Sequence, residues 1–269
     1  MRQSILVSII ALLIGILQPC KADLVGHWTF NEGSGTTAYD SANSHNGTIY
    51  GAEWTTSGDL SFDGVGDYVR VPDAPSLDLT VFTLDVRFQI DAMPAFGQSW
   101  TILSKGEDSS TDHANYYLTI VNSATWGPAA TKIACVFEDQ YDYNYWLTFD
   151  IDSSYVGRPV RVTSTLAGDD WNMYLDGSKV AANIYLNDRD NPITLSGQLP
   201  ATGNSPLFFG TFAALTPGSP GFFPGTIDDV RIYNHALTEA EIVPLPGALL
   251  LGCIGIGFAG WTLRRRKEL

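Results

Sequence analysis

The chain has 269 residues, 45% hydrophobic and 16% charged, with a formal net charge of −14. Residues 1–22 and 244–269 hold six of the 15 Lys and Arg but only one acid, Glu268, so the 221 residues between them carry nine bases against 28 acids, a net −19. So acidic a body argues against nucleic acid or anionic lipid as partner, because both need a basic face. Its apolar content argues against intrinsic disorder.

In chain order, Met1-Arg2-Gln3 is a short positive start, followed by the apolar run Ile5–Leu17. Small residues at Cys20 and Ala22 then place a cut between Ala22 and Asp23. This is the pattern of a secretory signal peptide, and the run is short for a membrane span. An uncleaved N-terminal anchor is the alternative.

Strand signals of period two fill the middle. Phe82, Leu84, Val86, Phe88 and Ile90 share one face of a strand; Tyr145, Leu147, Phe149 and Ile151 repeat the alternation, as do Trp171, Met173 and Leu175. Asp176-Gly177 predicts a hairpin turn, and Asn46-Gly47, Asp63-Gly64 and Pro217-Gly218 mark others. Cys135 alternates with Ile133 and Phe137, which predicts a buried, unreactive thiol. One short helix is predicted over Ala236–Ile242, where Thr238 and Glu241 have capping-box spacing. Frequent strands without intervening helices exclude a parallel βαβ architecture. The fold expected is all-β, a two-sheet antiparallel jelly-roll sandwich over residues 23–243.

Beyond it, Gly247–Leu263 is uncharged and mostly apolar and runs into Arg264-Arg265-Arg266-Lys267. That is about enough to cross a bilayer as a helix, and the basic cluster would stay cytoplasmic, leaving the acidic body outside.

Three blocks carry a family resemblance. Gly26-His27-Trp28-Thr29-Phe30-Asn31-Glu32-Gly33-Ser34-Gly35 with Tyr39-Asp40-Ser41 is similar to the opening of laminin-G-like, concanavalin A-type jelly rolls. Leu60-Ser61-Phe62-Asp63-Gly64-Val65-Gly66-Asp67-Tyr68-Val69 resembles their second block, and Gly225–Asn234 with Ala236-Leu237-Thr238 their closing strand and helix. The resemblance implies adjacent first and last strands, with Trp28 and Phe30 near Ile232 or Tyr233. Val243-Pro244-Leu245-Pro246-Gly247-Ala248, the apolar stretch and the Arg-rich end resemble a PEP-CTERM-type sorting signal in its Val-Pro-Leu-Pro-Gly-Ala variant. That implies an exosortase-type processing protease as partner, a transient membrane anchor, and delivery to the surface or exopolysaccharide matrix of a Gram-negative bacterium. A permanent single-pass anchor is the alternative.

Enzymes of the resembled fold hydrolyse β-glucans with carboxylates at alternate positions of one strand, since period two places i, i+2 and i+4 on one face. No Glu-x-Asp-x-Glu occurs here; the nearest pair is Asp150 with Asp152, which reads better as a strand end entering a turn. No Gly-x-Ser-x-Gly elbow occurs, and no His or Cys pair has zinc-ligand spacing. A catalytic role is therefore not expected. Calcium suits an exported acidic sandwich, and the terminal blocks offer Asn31, Asp40 and Asp228 as ligands; the favoured competing reading has Asp40 capping a turn and Asp228 solvated. A polysaccharide partner is expected from Glu138-Asp139-Gln140-Tyr141-Asp142-Tyr143-Asn144-Tyr145-Trp146, with Trp100 and Trp126 on neighbouring loops. Flat rings stack on pyranose faces while carboxylates and amides orient hydroxyls. A hairpin whose aromatics are half buried in sheet packing explains the same residues equally well. The expectation is an exported, non-catalytic binding or adhesion module, with a ligand-free matrix protein and a divergent glycosidase as alternatives.

Overall fold

The computed structural model describes residues 23–106, 113–125, 130–187, 189–213 and 221–243. The signal peptide ending at Ala22, Trp126, and the sorting segment Pro244, Leu245, Pro246 and Gly247 through Arg264, Arg265 and Arg266 lie outside the described residues; Asp23 and Val243 are the outermost described positions. Among the described residues, no helix is long and apolar enough to cross a membrane. The chain forms two compact units, residues 1–236 and 237–269.

The first unit is the expected sandwich, with every strand pairing antiparallel. One sheet runs β14 (Ser178–Lys179), β13 (Asp170–Leu175), β12 (Pro159–Ala167), β7 (Phe82–Ile90), β17 (Pro224–Tyr233), β5 (Leu60–Asp63) and β4 (Glu53–Trp54), with β1 (Leu24–Trp28) also paired to β17. The other runs β15 (Asn183–Leu186), β11 (Asn144–Ile151), β10 (Ala130–Glu138), β9 (Tyr116–Ser123), β8 (Ser99–Lys105), β16 (Leu207–Phe209), β6 (Tyr68–Val71), β3 (Gly47–Tyr50) and β2 (Thr37–Ala38). The longer strands bury their alternate apolar residues between the sheets. Phe82, Leu84, Val86, Phe88 and Ile90 from β7 meet Ile133, Cys135, Phe137, Tyr145 and Leu147 from β10 and β11 in one core. Burial of that much apolar surface, at about 25 cal/mol per Å², is the main force holding the layers.

The first and last strands adjoin, with Gly26 opposite Ile232 and Trp28 opposite Val230. The Trp28 ring lies over Gly26, which is the cross-strand partner of Ile232, and the rings of Trp28 and Phe30 also reach across the sandwich. Both pack edge-on against Phe209 of the facing sheet, with centroids 5.0 and 5.6 Å away. Inward side chains of paired strands touch their cross-strand neighbours and also the facing sheet. Asp176-Gly177 closes the β13–β14 hairpin with both residues at positive φ, 49° and 81°. Asn46-Gly47 is a correction. Gly47 starts β3, and a Cβ there would meet Val69 at 2.5 Å, so this glycine serves close strand packing rather than a turn.

The described part of the second unit holds one helix, α1 (Glu239–Ile242), shorter than the expected 236–242. The Glu241 carboxylate accepts from the backbone N–H and the hydroxyl of Thr238, each at 2.8 Å. The helix therefore starts where the capping pair sits.

Candidate functional site

The β10–β11 hairpin turns at residues 139–143, between Glu138 and its cross-strand partner Asn144. Asp139 organises the turn. Its Oδ1 accepts from the N–H groups of Tyr141 and Tyr143 at 2.8 and 3.2 Å, and its Oδ2 accepts the Tyr145 hydroxyl at 3.2 Å. Burial, then the neighbouring Asp139 carboxylate, pushes the Tyr145 phenol up to about 12. Asp142 sits at φ 62°, a left-handed position that Asp tolerates.

This turn forms one wall of a groove of about 710 Å³. Asp139, Gln140, Tyr141, Tyr143 and Tyr145 line it from the hairpin, Gly197–Thr202 from a facing segment, and Thr80 and His113 from two further loops. Tyr141 is 69% exposed and Tyr143 44%. The walls are pinned by backbone and amide bonds. Ala201 N–H donates to the Glu138 carbonyl at 2.7 Å. The Asn115 amide donates to the carbonyls of Leu79 and Ala201 at 2.9 and 2.6 Å, and its Oδ1 accepts from Leu79 N–H. Asn115 is buried, so these bonds work with little competition from water. The groove thus sets aromatic faces beside carboxamides and hydroxyls.

Strand alternation divides the residues singled out from the sequence. Tyr141, Tyr143 and Tyr145 line the groove. Tyr145 also stacks on Phe137 in the core, at 4.9 Å and 19°. Trp146, its chain neighbour, points to the opposite face of the sheet and meets Tyr117 edge-on at 5.7 Å, beside Ala134, Val136 and Tyr185. It does not join the groove, because one residue along a strand reverses the face. Trp100 lies on β8 opposite Ile120, packed against the main core and away from the hairpin. Glu138 is 2% exposed; its Oε2 accepts from Ala114 N–H at 2.8 Å and lies 3.5 Å from His113 Nδ1. Asp142 reaches the same nitrogen at 3.3 Å. His113 was not singled out by sequence reasoning.

The three residues considered for calcium do not form one ligand set. Asp40 spends both oxygens on its own turn and on β1, accepting from the N–H groups of Ala42 and His45 and of His27 on β1, and lying 3.1 Å from His45 Nδ1. Burial alone would raise its pKa, but these backbone bonds outweigh it and hold the carboxyl below the ordinary range. Asn31 and Asp228 line a separate depression of about 410 Å³, where Asp228 pairs with Arg87 at 2.7 Å. Burial and a hydrogen bond with Asp59 push Asp228 up, against the pull of Arg87. Asp150 pairs with Lys132 at 3.1 Å, and Asp152 caps a short turn by accepting Ser154 N–H at 2.8 Å.

Among solved structures, Trypanosoma rangeli sialidase in complex with sialic acid is similar, at 20% identity and a TM-score of 0.56, over 82% of this chain and 32% of that one. The chain thus spans about a third of the sialidase's length. Domain 4 of AbnA, an extracellular arabinanase from Geobacillus stearothermophilus in complex with arabinotriose, matches at 16% identity and a TM-score of 0.53, covering 82% of this chain and 97% of that domain. Botulinum neurotoxin type C, which enters cells through interaction with two ganglioside molecules, matches at 14% identity and a TM-score of 0.57, over 82% and 50% of the two chains. At these identities the likeness is one of fold. No curated protein matches the sequence. A laminin-G-type profile, described as the concanavalin A-like lectin/glucanases superfamily, matches residues 63–243, more than half of the chain, and the chain belongs to that superfamily.

Proposed function

We propose that this protein is an exported, non-catalytic carbohydrate-binding module that takes a glycan in the groove at the β10–β11 turn. The observation that carries this reading is the pair of exposed rings, Tyr141 and Tyr143, held by Asp139 against a polar facing wall. Exposed aromatic faces on a pinned turn bind sugars at little entropic cost, because both ring and groove are already ordered. The sialidase, the arabinanase domain and the neurotoxin each involve a sugar ligand in their own right, which sets the ligand class to try first. The non-catalytic reading is supported by the acids nearest to a glucanase pair: Asp150 is engaged by Lys132 and Asp152 by Ser154. Export and surface delivery are supported by the apolar and basic ends flanking the acidic body.

The test is a glycan array and a polysaccharide pull-down with the full chain, beside Tyr141→Ala/Tyr143→Ala. Two stacking rings at about 0.5–1.5 kcal/mol each predict a loss of about 5- to 140-fold in affinity. Retained binding in the double variant sinks the groove. Absence of binding to every glycan, with an altered matrix in a deletion strain, favours a structural matrix protein instead. Sugar release that Asp150→Asn abolishes overturns the non-catalytic reading.

A further inference from the structure

The structure assigns to His113, Glu138 and Asp142 a divalent-cation site of the zinc class, a site that does not depend on the groove holding a glycan. One oxygen from each carboxylate and one imidazole nitrogen lie within 4.8 Å of one another. The two nitrogen-to-oxygen separations are 3.5 Å to Glu138 and 3.3 Å to Asp142. A tetrahedral zinc with bonds of about 2.0–2.1 Å requires ligand atoms about 3.3–3.4 Å apart, which the two nitrogen-to-oxygen separations match. The imidazole decides the class. Calcium and magnesium take oxygen ligands, whereas nitrogen with carboxylate oxygen suits zinc and its transition-metal neighbours. Three protein ligands leave at least one coordination position open.

The ligands are ordered by bonds that owe nothing to a metal. Ala114 and Glu138 are joined by two hydrogen bonds, Ala114 N–H donating to the Glu138 carboxylate at 2.8 Å and Glu138 N–H to the Ala114 carbonyl at 3.0 Å. Gly106, at φ 104°, passes so close behind that a Cβ would meet the His113 carbonyl at 2.1 Å. Asp142 is set by the hairpin turn, its N–H donating to the Asp139 carbonyl at 3.1 Å. The competing explanation is a protonated His113 lying between two acids. Its Nδ1 carries a single proton and donates to one carboxylate at a time, whereas a divalent cation engages both. Sequence spacing points away from zinc because it weighs only His and Cys pairs; here a single His joins carboxylates 25 and 29 positions further along the chain.

The test uses the untagged full chain, stripped with EDTA and dialysed, then titrated with Zn²⁺ by calorimetry and with Co²⁺ by visible absorption. One Zn²⁺ per chain and the d–d bands of a four-coordinate cobalt site are expected. Asp142→Asn, which suits the left-handed position, and His113→Gln should each weaken Zn²⁺ binding at least tenfold while leaving the metal-free melting temperature unchanged. Asp142 is largely exposed, so its variant folds even if the His113 variant does not. Lack of saturable Zn²⁺ binding, binding unaltered by Asp142→Asn, or stronger binding of Ca²⁺ than Zn²⁺ overturns the assignment.

Discussion

Asp85 offers the sharpest test of how the first sheet is held. It lies mid-strand on β7, on the face turned away from the core, yet its side chain is 3% exposed. Arg161 covers it with a fork, donating through Nε at 2.8 Å and Nη2 at 2.6 Å, and Thr163 donates its hydroxyl at 3.1 Å. Removing one partner of a buried ion pair costs about 3–5 kcal/mol. The Arg161 side chain is 32% exposed, so water partly resolvates it, and Asp85→Ala should cost about 2–3 kcal/mol. Arg161→Ala strands the more buried member and should cost more, toward about 4 kcal/mol. In melting temperature the Asp85 change corresponds to about 4–12 °C, at about 2–4 °C per kcal/mol for a domain of this size. The assay is urea unfolding of both single variants and the double variant, compared as a cycle. A coupling of about 1.5–3 kcal/mol is expected. An Asp85→Ala loss under about 1 kcal/mol, or a coupling near zero, refutes the reasoning, because the pair would then be no more than a solvated surface contact.

Two further outcomes follow from the other buried polar groups. Asp40 has a folded-state pKa below its ordinary value of 3.8, so its stabilisation is fully present above that value and is lost as pH falls from there through the lower folded-state pKa. The urea midpoints of the native protein and Asp40→Asn should therefore lie apart at pH 7 and draw together as the pH is taken below 3.8; a gap that stays constant contradicts this. Burial pushes the Cys135 thiol up to about 12, so the folded protein should leave it unalkylated at pH 8 and label it fully in urea, read on the peptide that contains it.

The fold was legible because its information is local and repeated. Period-two burial on β7, β11 and β13, the Asp176-Gly177 turn and the Thr238–Glu241 pair each depend on residues a few positions apart. The site was legible only in part, for the same reason. Tyr141 and Tyr143 flank a turn that sequence can place. Trp146 looked equivalent to Tyr145, but adjacent positions on a strand serve opposite faces. His113 reaches Glu138 only because the segment before β9 lies beside the end of β10, a pairing set by register across the sheet. Asp40 resembled a ligand in composition, and its three backbone partners are invisible until the turn closes on β1.

The place of β17 bears on how the protein is made. This strand, near the end of the body, lies between β7 and β5 and also carries β1. Without it the sheet falls into separate pieces, β14-β13-β12-β7 on one side and β5-β4 on the other, with β1 unattached. Residues 23–223 can be synthesised before any complete sandwich exists. Closure waits for a pairing between strands some 140 to 200 positions apart, the long-range kind that folds slowly. A chain stopped before Pro224 would expose two bare strand edges, open to pairing with other chains. The final strand thus acts as a checkpoint on completeness, and truncated products should aggregate rather than fold.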